Sequence, residues 1–400
     1  MVAIKRDVII AGAGPAGTIC AAYLARAGVD VLLIDKELFP RDKACGDMLR
    51  EGIVRHIEKL EAVDVLDEKS TCIRKIKLVG SADSEAAVPF ECYALPRFEL
   101  DKLLVDTAKS WGAEVRQACR LVDVVRENGK VCGVIVREKG TEYEIRSRFV
   151  IGADGVDSQL VKCLAGMPDE TAGGIGEDEA PDGIWLGVRG YFKGIRLDSR
   201  LNKDQYDAGA VFGFDGKNGH AYFWALPVGR DGVKRGVCNV GMLVKGRDAF
   251  SSRELLERLD TWMGSEKIKA MFDDAEQIGE WSFGRLADKT QARKCAGEGW
   301  MLIGDAAAPA EPLFGDGLGA AADTAKAAAD AAEAAFKTGD FSVETVTASY
   351  KAALAKLKPA KSEDEIKEDR LLMESLNDPH VMDKIVEMLG RDPNYAKKAL

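Results

Sequence analysis

The amino-acid sequence predicts an α/β fold that carries a largely antiparallel β-sheet as an insert. Residues 7–35 contain a strand, a glycine-rich turn, a helix and a second strand in immediate succession. This order is typical of a parallel βαβ unit. Residues 166–250 are instead Gly-rich and aromatic, with short strand-like stretches that favour antiparallel pairing. One chain of 400 residues is therefore expected to hold both kinds of sheet.

The βαβ unit begins almost at the first residue. Residues 7–12 (DVIIAG) form a short β-branched run bounded by glycine, which is typical of a buried parallel strand. Residues 18–28 (TICAAYLARAG) have helical spacing and end in Gly28, a favourable residue for a helix C-terminus. Residues 29–35 (VDVLLID) are predicted to form the second buried strand.

The elements that follow alternate between helices and strands. The sequence predicts a helix at 97–115, a β-meander at 119–155 with hairpin turns at Asn128-Gly129 and Lys139-Gly140, a helical pair at 251–274, a strand at 300–306, an Ala-rich helix at 318–337, and a helical tail at 343–400 with a break at Lys358-Pro359. No internal repeat and no long linker separates these elements, so two closely joined units are expected.

Composition excludes several classes of protein. The 56 basic and 66 acidic residues give a net charge of -10, which argues against a nucleic-acid partner. The nine cysteines are scattered without a C-x-x-C spacing, and the three histidines lie far apart. Neither a disulfide framework nor a metal site is expected, and a reducing cytoplasm is the expected location. The uncharged segment 8–25 is interrupted by glycine and proline, so we expect no targeting or membrane-spanning segment.

A glycine motif lies between the first strand and the first helix. It fits G-x-G-x-x-G and includes Gly12, Gly14, Pro15, Ala16 and Gly17. The glycines permit a tight turn, while the helix N-terminus offers N–H groups to a pyrophosphate. Asp35 ends the second strand, where a carboxylate accepts hydrogen bonds from ribose hydroxyls. The pattern predicts dinucleotide binding. No second such motif follows a strand, so a second permanent dinucleotide domain is not expected.

Two later segments resemble known fingerprints. Residues 149–158 (FVIGADGVDS) and 299–321 (GWMLIGDAAAPAEPLFGDGLGAA) each end a strand in a Gly-Asp or Asp-Gly turn. With the glycine motif, they resemble the three fingerprints of the FAD-dependent aromatic-hydroxylase superfamily. The resemblance implies bound FAD and a Rossmann-like FAD-binding domain joined to an antiparallel-sheet substrate domain, the p-hydroxybenzoate-hydroxylase-like architecture.

The same resemblance implies roles for individual residues. Asp305 is expected to hold the ribityl chain, and Arg97 to lie beside the FAD phosphate and ribityl region. The other cofactor-binding residues that it implies are Lys36, Ala44, Cys45, Gly46, Asp47, Asp154, Gly155, Gly304, Pro312, Gly315, Gly317, Leu318 and Gly319.

Within the superfamily, two segments look like the geranylgeranyl reductase branch. Residues 41–47 (RDKACGD) match its K-x-C-G loop, and residues 222–242 (YFWALPVGRDGVKRGVCNVGM) match its Y-x-W-x-x-P segment. The tail segment 367–379 is also similar. The resemblance implies an FAD-dependent reductase of prenyl-chain double bonds, acting on isoprenoid lipids or quinones. NADPH or ferredoxin is the expected electron donor. Peripheral contact with a membrane is expected, because prenyl lipids are insoluble.

Four residues are the predicted catalytic candidates: Cys45, Gly46, Tyr222 and Trp224. Cys45 is expected on a mobile loop near the flavin, with Arg41 and Lys43 favouring its thiolate. Redox sensing and control of access are both open for this thiol, as is a simple packing role. Tyr222 and Trp224 are expected to line the prenyl cavity, and the alternative for both is ordinary sheet core.

Two other functions stay open at this point. One is an FAD-dependent monooxygenase or flavin halogenase on the same fold, although tryptophan-type halogenases have W-x-W-x-I-P where this chain has YFWALP. The other is a non-catalytic flavin- or lipid-binding protein. The predicted domain division assigns 1–75, 97–165 and 286–340 to the FAD-binding domain, 76–96 and 166–285 to the substrate domain, and 341–400 to a C-terminal helical region.

Overall fold

The computed structural model describes residues 4–80, 84–165, 184–197, 208–215, 221–230, 236–245, 251–287, 293–308, 317–357 and 379–392. Pro312, Gly315, the predicted break at Lys358-Pro359 and all but the last residue of the tail segment 367–379 lie outside these ranges.

The described strands form two sheets. They are β1 (Ile4–Ala11), β2 (Val31–Ile34), β3 (Met48–Leu49), β4 (Thr71–Val79), β5 (Glu85–Ala94), β6 (Glu114–Arg116), β7 (Cys119–Glu127), β8 (Lys130–Glu138), β9 (Thr141–Gly152), β10 (Ile184–Lys193), β11 (Ala208–Asp215), β12 (Ala221–Pro227), β13 (Cys238–Lys245), β14 (Glu276–Ala287), β15 (Ala296–Gly297) and β16 (Trp300–Leu302).

The described helices pack on both sheets. They are α1 (Pro15–Arg26), α2 (Glu51–Lys59), α3 (Val63–Lys69), α4 (Arg97–Ser110), α5 (Gln159–Leu164), α6 (Ser252–Met263), α7 (Gly317–Thr338), α8 (Val343–Leu357) and α9 (Pro379–Arg391). Among the described residues, no helix is both long and apolar enough to cross a membrane.

The first sheet contains the predicted βαβ unit. Its strand order is β15-β16-β9-β1-β2-β6, and β1 pairs in parallel with both β2 and β9. The β-meander is confirmed, because β7, β8 and β9 pair antiparallel in succession. Both predicted hairpin turns have positive φ at their two residues, 50° and 80° in each case, as a type I′ turn requires.

Two helix predictions need correction. The helix predicted at 97–115 ends at Ser110, since Gly112 takes a φ of 105° and residues 114–116 become the edge strand β6. The helical pair predicted at 251–274 is α6 followed by a single 3₁₀ turn at Lys269–Met271, because α6 stops at Gly264. The Ala-rich helix is confirmed as α7, which packs against α1, α2 and α8.

The second sheet has the order β14-β10-β13-β12-β11-β4-β5-β3. Its described pairs are antiparallel except β11 with β4. The antiparallel insert is therefore confirmed. β4 pairs with β5 from Thr71 onward, so the second sheet begins before residue 76, where the sequence placed the substrate domain. The division into domains stays a prediction.

The core positions the ends of the parallel strands beside the second sheet. On one face of the first sheet, β1 and β2 share an apolar cluster with α1, α2, α4 and α7. On the other face, the cluster includes the meander and α5. The carboxyl ends of β1, β2 and β9 are left open at one edge, which is where ligands bind in sheets of this kind.

Candidate active site

A cavity of about 1010 Å³ is lined by residues from both sheets. Its volume lies at the upper end of the usual range for small-molecule pockets, about 300–1,000 Å³. One wall comes from the carboxyl ends of β1, β2 and β9, and the opposite wall comes from β10 to β14 of the second sheet. The cavity therefore connects the glycine motif to the antiparallel sheet.

The glycine motif forms a turn that only glycine permits at two positions. Gly12 has a φ of 103°, and a Cβ there would lie 2.3 Å from the carbonyl oxygen of Ala153. A Cβ on Gly17 would lie 1.8 Å from the carbonyl oxygen of Gly12. The turn thus holds α1 close to the end of β9, with the first residues of α1 lining the cavity.

The N-terminus of α1 is free to receive an anion. Its N-cap is Gly14, which provides no side-chain cap, and the first turn contains no acidic residue. The unpaired N–H groups and the positive end of the helix dipole therefore face the cavity without a competing carboxylate. This arrangement fits the pyrophosphate of a dinucleotide.

Asp35 is held in one orientation by backbone donors. Its carboxylate accepts a hydrogen bond from Ala13 N at 2.6 Å and another from Glu37 N at 2.8 Å. The side chain is buried but still lines the cavity, beside Lys36. The carboxylate is therefore fixed before any ligand binds, which suits recognition of a ribose.

The two later fingerprints provide further cavity residues. Asp154 accepts hydrogen bonds from the Ser158 hydroxyl and from Leu160 N at the start of α5, and burial raises the pKa of its carboxyl group. Asp305 lies in a 3₁₀ turn at Gly304–Ala306, where its Oδ2 is 3.7 Å from Lys43 Nζ. Asp305 therefore links the third fingerprint to the loop at residues 41–47.

Of the predicted cofactor residues that the structure describes, most line the cavity and three do not. The lining residues are Gly12, Gly14, Pro15, Ala16, Asp35, Lys36, Ala44, Cys45, Gly46, Arg97, Asp154, Gly155, Gly304, Asp305, Gly317 and Leu318. Gly17 packs on Gly12, Gly319 packs on Gly52 of α2, and Asp47 lies behind the wall. These three residues contact the cavity wall from behind, and a cofactor-binding role for them stays a prediction.

The loop at residues 41–47 differs from expectation in its electrostatics. Arg41 Nη1 lies 2.9 Å from Asp101 Oδ2, and Lys43 approaches Asp305, so both cations are paired away from the thiol. Burial raises the pKa of the Cys45 thiol, and the nearby charge of Arg97 opposes that shift without reversing it. The prediction that Arg41 and Lys43 favour a thiolate is wrong. Cys45 is a half-buried thiol in the cavity wall.

Comparison with known proteins identifies the family. The family model described as "FAD binding domain" matches residues 5–340. The menaquinone reductase of Mycolicibacterium smegmatis is 31% identical over 80% of this chain and 75% of its own length. The digeranylgeranylglycerophospholipid reductase of Methanosarcina mazei is 30% identical, over 80% and 74% respectively. The chain belongs to the geranylgeranyl reductase family of FAD-binding proteins.

Solved structures agree with the fold of this geranylgeranyl reductase family member. A geranylgeranyl bacteriochlorophyll reductase-like protein from Thermoplasma acidophilum superposes with a TM-score of 0.81 at 22% identity, covering 97% of this chain and 92% of its own. A flavin-dependent brominase superposes with a TM-score of 0.72 at 21% identity, covering 96% and 93%. The predicted fold class is confirmed.

The predicted catalytic candidates of this family member lie together on the second-sheet side of the cavity. Tyr222 and Trp224 line the cavity with ring centroids 5.8 Å apart. A Cβ on Gly46 would lie 3.6 Å from Trp224 Cε2, so the Cys45 loop packs directly on the indole. Whether these residues act in catalysis stays a prediction.

Sequence reasoning missed Asn239, which joins these candidates. Its side chain accepts a hydrogen bond from Trp224 Nε1 at 2.8 Å and donates one to the carbonyl oxygen of Cys45 at 2.8 Å. Asn239 is fully buried in β13. The available signal was a polar amide directly before the apolar run at 240–244, since buried polar groups need specific partners.

Proposed function

We propose that this chain is an FAD-dependent reductase of prenyl-chain double bonds, acting on an isoprenoid lipid or quinone. The observation that supports this best is one continuous cavity, which extends from the glycine motif to an apolar wall of the second sheet. That wall includes Met48, Phe212, Tyr222, Trp224, Leu226 and Leu243. An apolar, partly aromatic wall suits a hydrocarbon chain, whose binding depends on removing apolar surface from water.

The chain's own residues would hold and orient the cofactor. The N-terminus of α1 would bind the pyrophosphate, Asp35 the ribose, and the 3₁₀ turn containing Asp305 the ribityl chain. When bound, FAD supplies the hydride chemistry, because none of the side chains carries hydride. The wall residues of the second sheet would hold the alkene in place and keep water away from it.

The proposed electron donor is NADPH or ferredoxin. Basic side chains that line the cavity include Lys36, Arg120 and Lys162, and they suit an anionic donor or its phosphate groups. The oxidised protein is mixed anaerobically with NADPH or with reduced ferredoxin, and the loss of flavin absorbance is followed. The rate of this loss shows which donor reduces the flavin. A donor that leaves the flavin oxidised is excluded.

The proposed location is the cytoplasm, with peripheral contact to a membrane. A prenyl lipid resides in a bilayer, so an enzyme that acts on it must reach the membrane surface. The exposed side chain of Phe283 on β14, which directly precedes the cavity-lining Gly284, supports this contact.

The function is tested by mass spectrometry of products. Protein reduced with dithionite is incubated anaerobically with a panel of polyprenyl phospholipids, quinones and diphosphates, and dithionite without protein serves as the control. We expect a gain of two hydrogens per reduced double bond and no added oxygen or halogen. If no lipid in the panel is converted although dithionite fully reduces the bound flavin, the proposed function is wrong.

A further inference from the structure

Asn239 is a buried amide whose hydrogen-bonding groups all reach the loop at residues 41–47 or Trp224. It donates to the carbonyl oxygen of Cys45 at 2.8 Å and to Asp47 Oδ2 at 2.8 Å, and it accepts from Trp224 Nε1 at 2.8 Å. These contacts use both N–H groups and the oxygen of the amide, so its orientation is fully determined. One side chain of β13 therefore connects the loop at residues 41–47 to the aromatic wall.

Asp47 completes this connection from the loop. Its side chain is fully buried and accepts hydrogen bonds from the Tyr191 hydroxyl at 2.6 Å and from Arg97 N at 3.1 Å, in addition to Asn239. Its φ of 62° is uncommon for a residue other than glycine and is unfavourable by itself. A strained residue of this kind persists only when its surroundings hold it, as these hydrogen bonds do.

Trp224 is fixed just as firmly. A Cβ on Gly241 would lie 2.4 Å from Trp224 Cζ2, and one on Gly46 would lie 3.6 Å from Cε2. The indole therefore lies between two glycines, with its N–H bound to Asn239. The distance between the backbone of the Cys45 loop and the indole of Trp224 is consequently fixed.

A prenyl chain makes such rigidity useful. Its double bonds are chemically alike and carry no polar group, so a site distinguishes them only by the shape of its walls. An error of about 1 Å in the position of a reacting group reduces rates by about 100-fold. If the wall residues moved, the wrong double bond would lie at the reacting position, or none would.

We propose that Asn239 and Asp47 are positioning residues for the reduction. They hold Cys45 and Trp224 at fixed positions relative to each other and so determine where the alkene binds. Neither residue lines the cavity, so both act through the two that do. This inference rests on the proposed function.

Two tyrosines provide a matched pair of test variants. Tyr191→Phe removes the hydroxyl that binds Asp47. Tyr23→Phe removes a hydroxyl that bonds His56 Nδ1 at 2.9 Å between α1 and α2, away from the cavity. Each variant loses one tyrosine hydrogen bond, so both are expected to fold. Tyr191→Phe should lower thermal stability more, because the hydroxyl of Tyr191 binds a carboxylate whereas that of Tyr23 binds an imidazole, and turnover is therefore compared per folded, FAD-loaded protein. Asn239→Leu is the stronger variant, because it removes all three hydrogen bonds of the amide.

The first readout is turnover per bound FAD together with the distribution of partly reduced products. We expect Tyr191→Phe to lower kcat about tenfold with a smaller change in KM, and to broaden the product distribution. Tyr23→Phe should match the wild type in both respects. Equal losses in the two tyrosine variants would show a purely structural role and overturn the proposal.

The second readout does not depend on the reaction. Alkylation of Cys45 by iodoacetamide is followed by peptide mass spectrometry, which separates this thiol from the other cysteines. We expect alkylation about fivefold faster in Tyr191→Phe and Asn239→Leu, since a lost hydrogen bond loosens the loop by about that factor. Unchanged alkylation in both overturns the proposal, as does faster alkylation with an unchanged product distribution. If the wild type reduces no prenyl alkene, the proposed function has failed, and alkylation still decides whether the pair holds Cys45.

Discussion

Arg97 forms a two-bond ion pair with Asp101 one turn further along α4, with Nε 2.8 Å from Oδ1 and Nη2 2.9 Å from Oδ2. Both side chains are almost fully buried. Arg41, from the loop that contains Cys45, binds the same carboxylate at 2.9 Å. One buried carboxylate of α4 therefore binds two arginines that line the cavity, Arg97 of the same helix and Arg41 of the loop.

This arrangement predicts a large stability loss for Asp101→Asn. Removing one partner of a buried ion pair typically costs 3–5 kcal/mol, because the remaining charge stays buried, and here two arginines lose their partner. We expect the free energy of unfolding to fall by about 3 kcal/mol in urea titrations. The control is Asp106→Asn on the same helix, which breaks the exposed pair with Lys102 and should cost less than about 0.5 kcal/mol. Similar losses in the two variants would contradict the prediction.

The glycine turn predicts opposite outcomes for two Gly→Ala variants. Alanine in a helix is ordinarily favoured over glycine by about 1 kcal/mol. At Gly17, however, the new Cβ would lie 1.8 Å from the carbonyl oxygen of Gly12. We expect Gly17→Ala to lose bound flavin, measured as flavin absorbance per protein. Gly28→Ala, where nothing lies within 4 Å but φ is 83°, should cost about 1 kcal/mol and keep its flavin. Retention of flavin by Gly17→Ala would contradict the prediction.

Local sequence patterns were sufficient to predict the first sheet. The strand, glycine turn and helix at residues 4–26 depend on neighbours in the chain, and so do the hairpin turns with their positive φ. The contacts of the loop at residues 41–47 depend on distant residues, because Asp101, Tyr191 and Asn239 approach it only in the folded chain. Closeness in sequence therefore suggested Cys45 as the partner of Arg41 and Lys43, whereas the folded chain pairs them with Asp101 and Asp305.

Asp47 predicts a pH dependence of stability. Burial raises the pKa of its carboxyl group to about 6 from 3.8, although Tyr191, Asn239, Arg189 and Arg97 all lower it. Between these pH values the native protein holds a proton that the unfolded chain releases. The stabilising contribution is therefore complete below about pH 4 and is lost as the pH rises through about 6.

The variant Asp47→Asn isolates this contribution. We expect the stability of the wild type relative to Asp47→Asn to fall by about 3 kcal/mol between pH 4 and 7, measured by urea unfolding at each pH. The surface variant Asp106→Asn should follow the pH course of the wild type. Parallel curves for Asp47→Asn and the wild type would show that the carboxyl group does not titrate in this window.

The exposed side of β14 predicts contact with membranes. Phe283 is 42% exposed and directly precedes Gly284 and Arg285, which line the cavity. We expect the wild type to float with phosphatidylcholine vesicles, and Phe283→Ser to bind roughly tenfold more weakly, because a buried Phe side chain contributes about 1.5–3 kcal/mol. Met388→Ser, at an equally exposed position on α9, is the control. Absence of the wild type from the floating fraction would count against membrane contact.

The thiol of Cys45 provides a test that distinguishes a reductase from an oxygenase. An oxygenase exposes its site to dioxygen and oxidising species, which convert thiols to sulfenic and higher acids, whereas an anaerobic reductase tolerates a thiol in the cavity wall. We expect Cys45→Ser to keep its FAD, since serine has nearly the same size and the glycine turn is unchanged. Its alkene turnover should change severalfold, because Asp47 N donates to the sulfur at 3.4 Å and the loop adjusts to the shorter C–O bond. Flavin content, turnover and product mass are measured together, and the wild-type product should gain hydrogen without oxygen. An oxygenated or halogenated product, with Cys45→Ser behaving as the wild type, would refute both the reductase assignment and the role given to this loop.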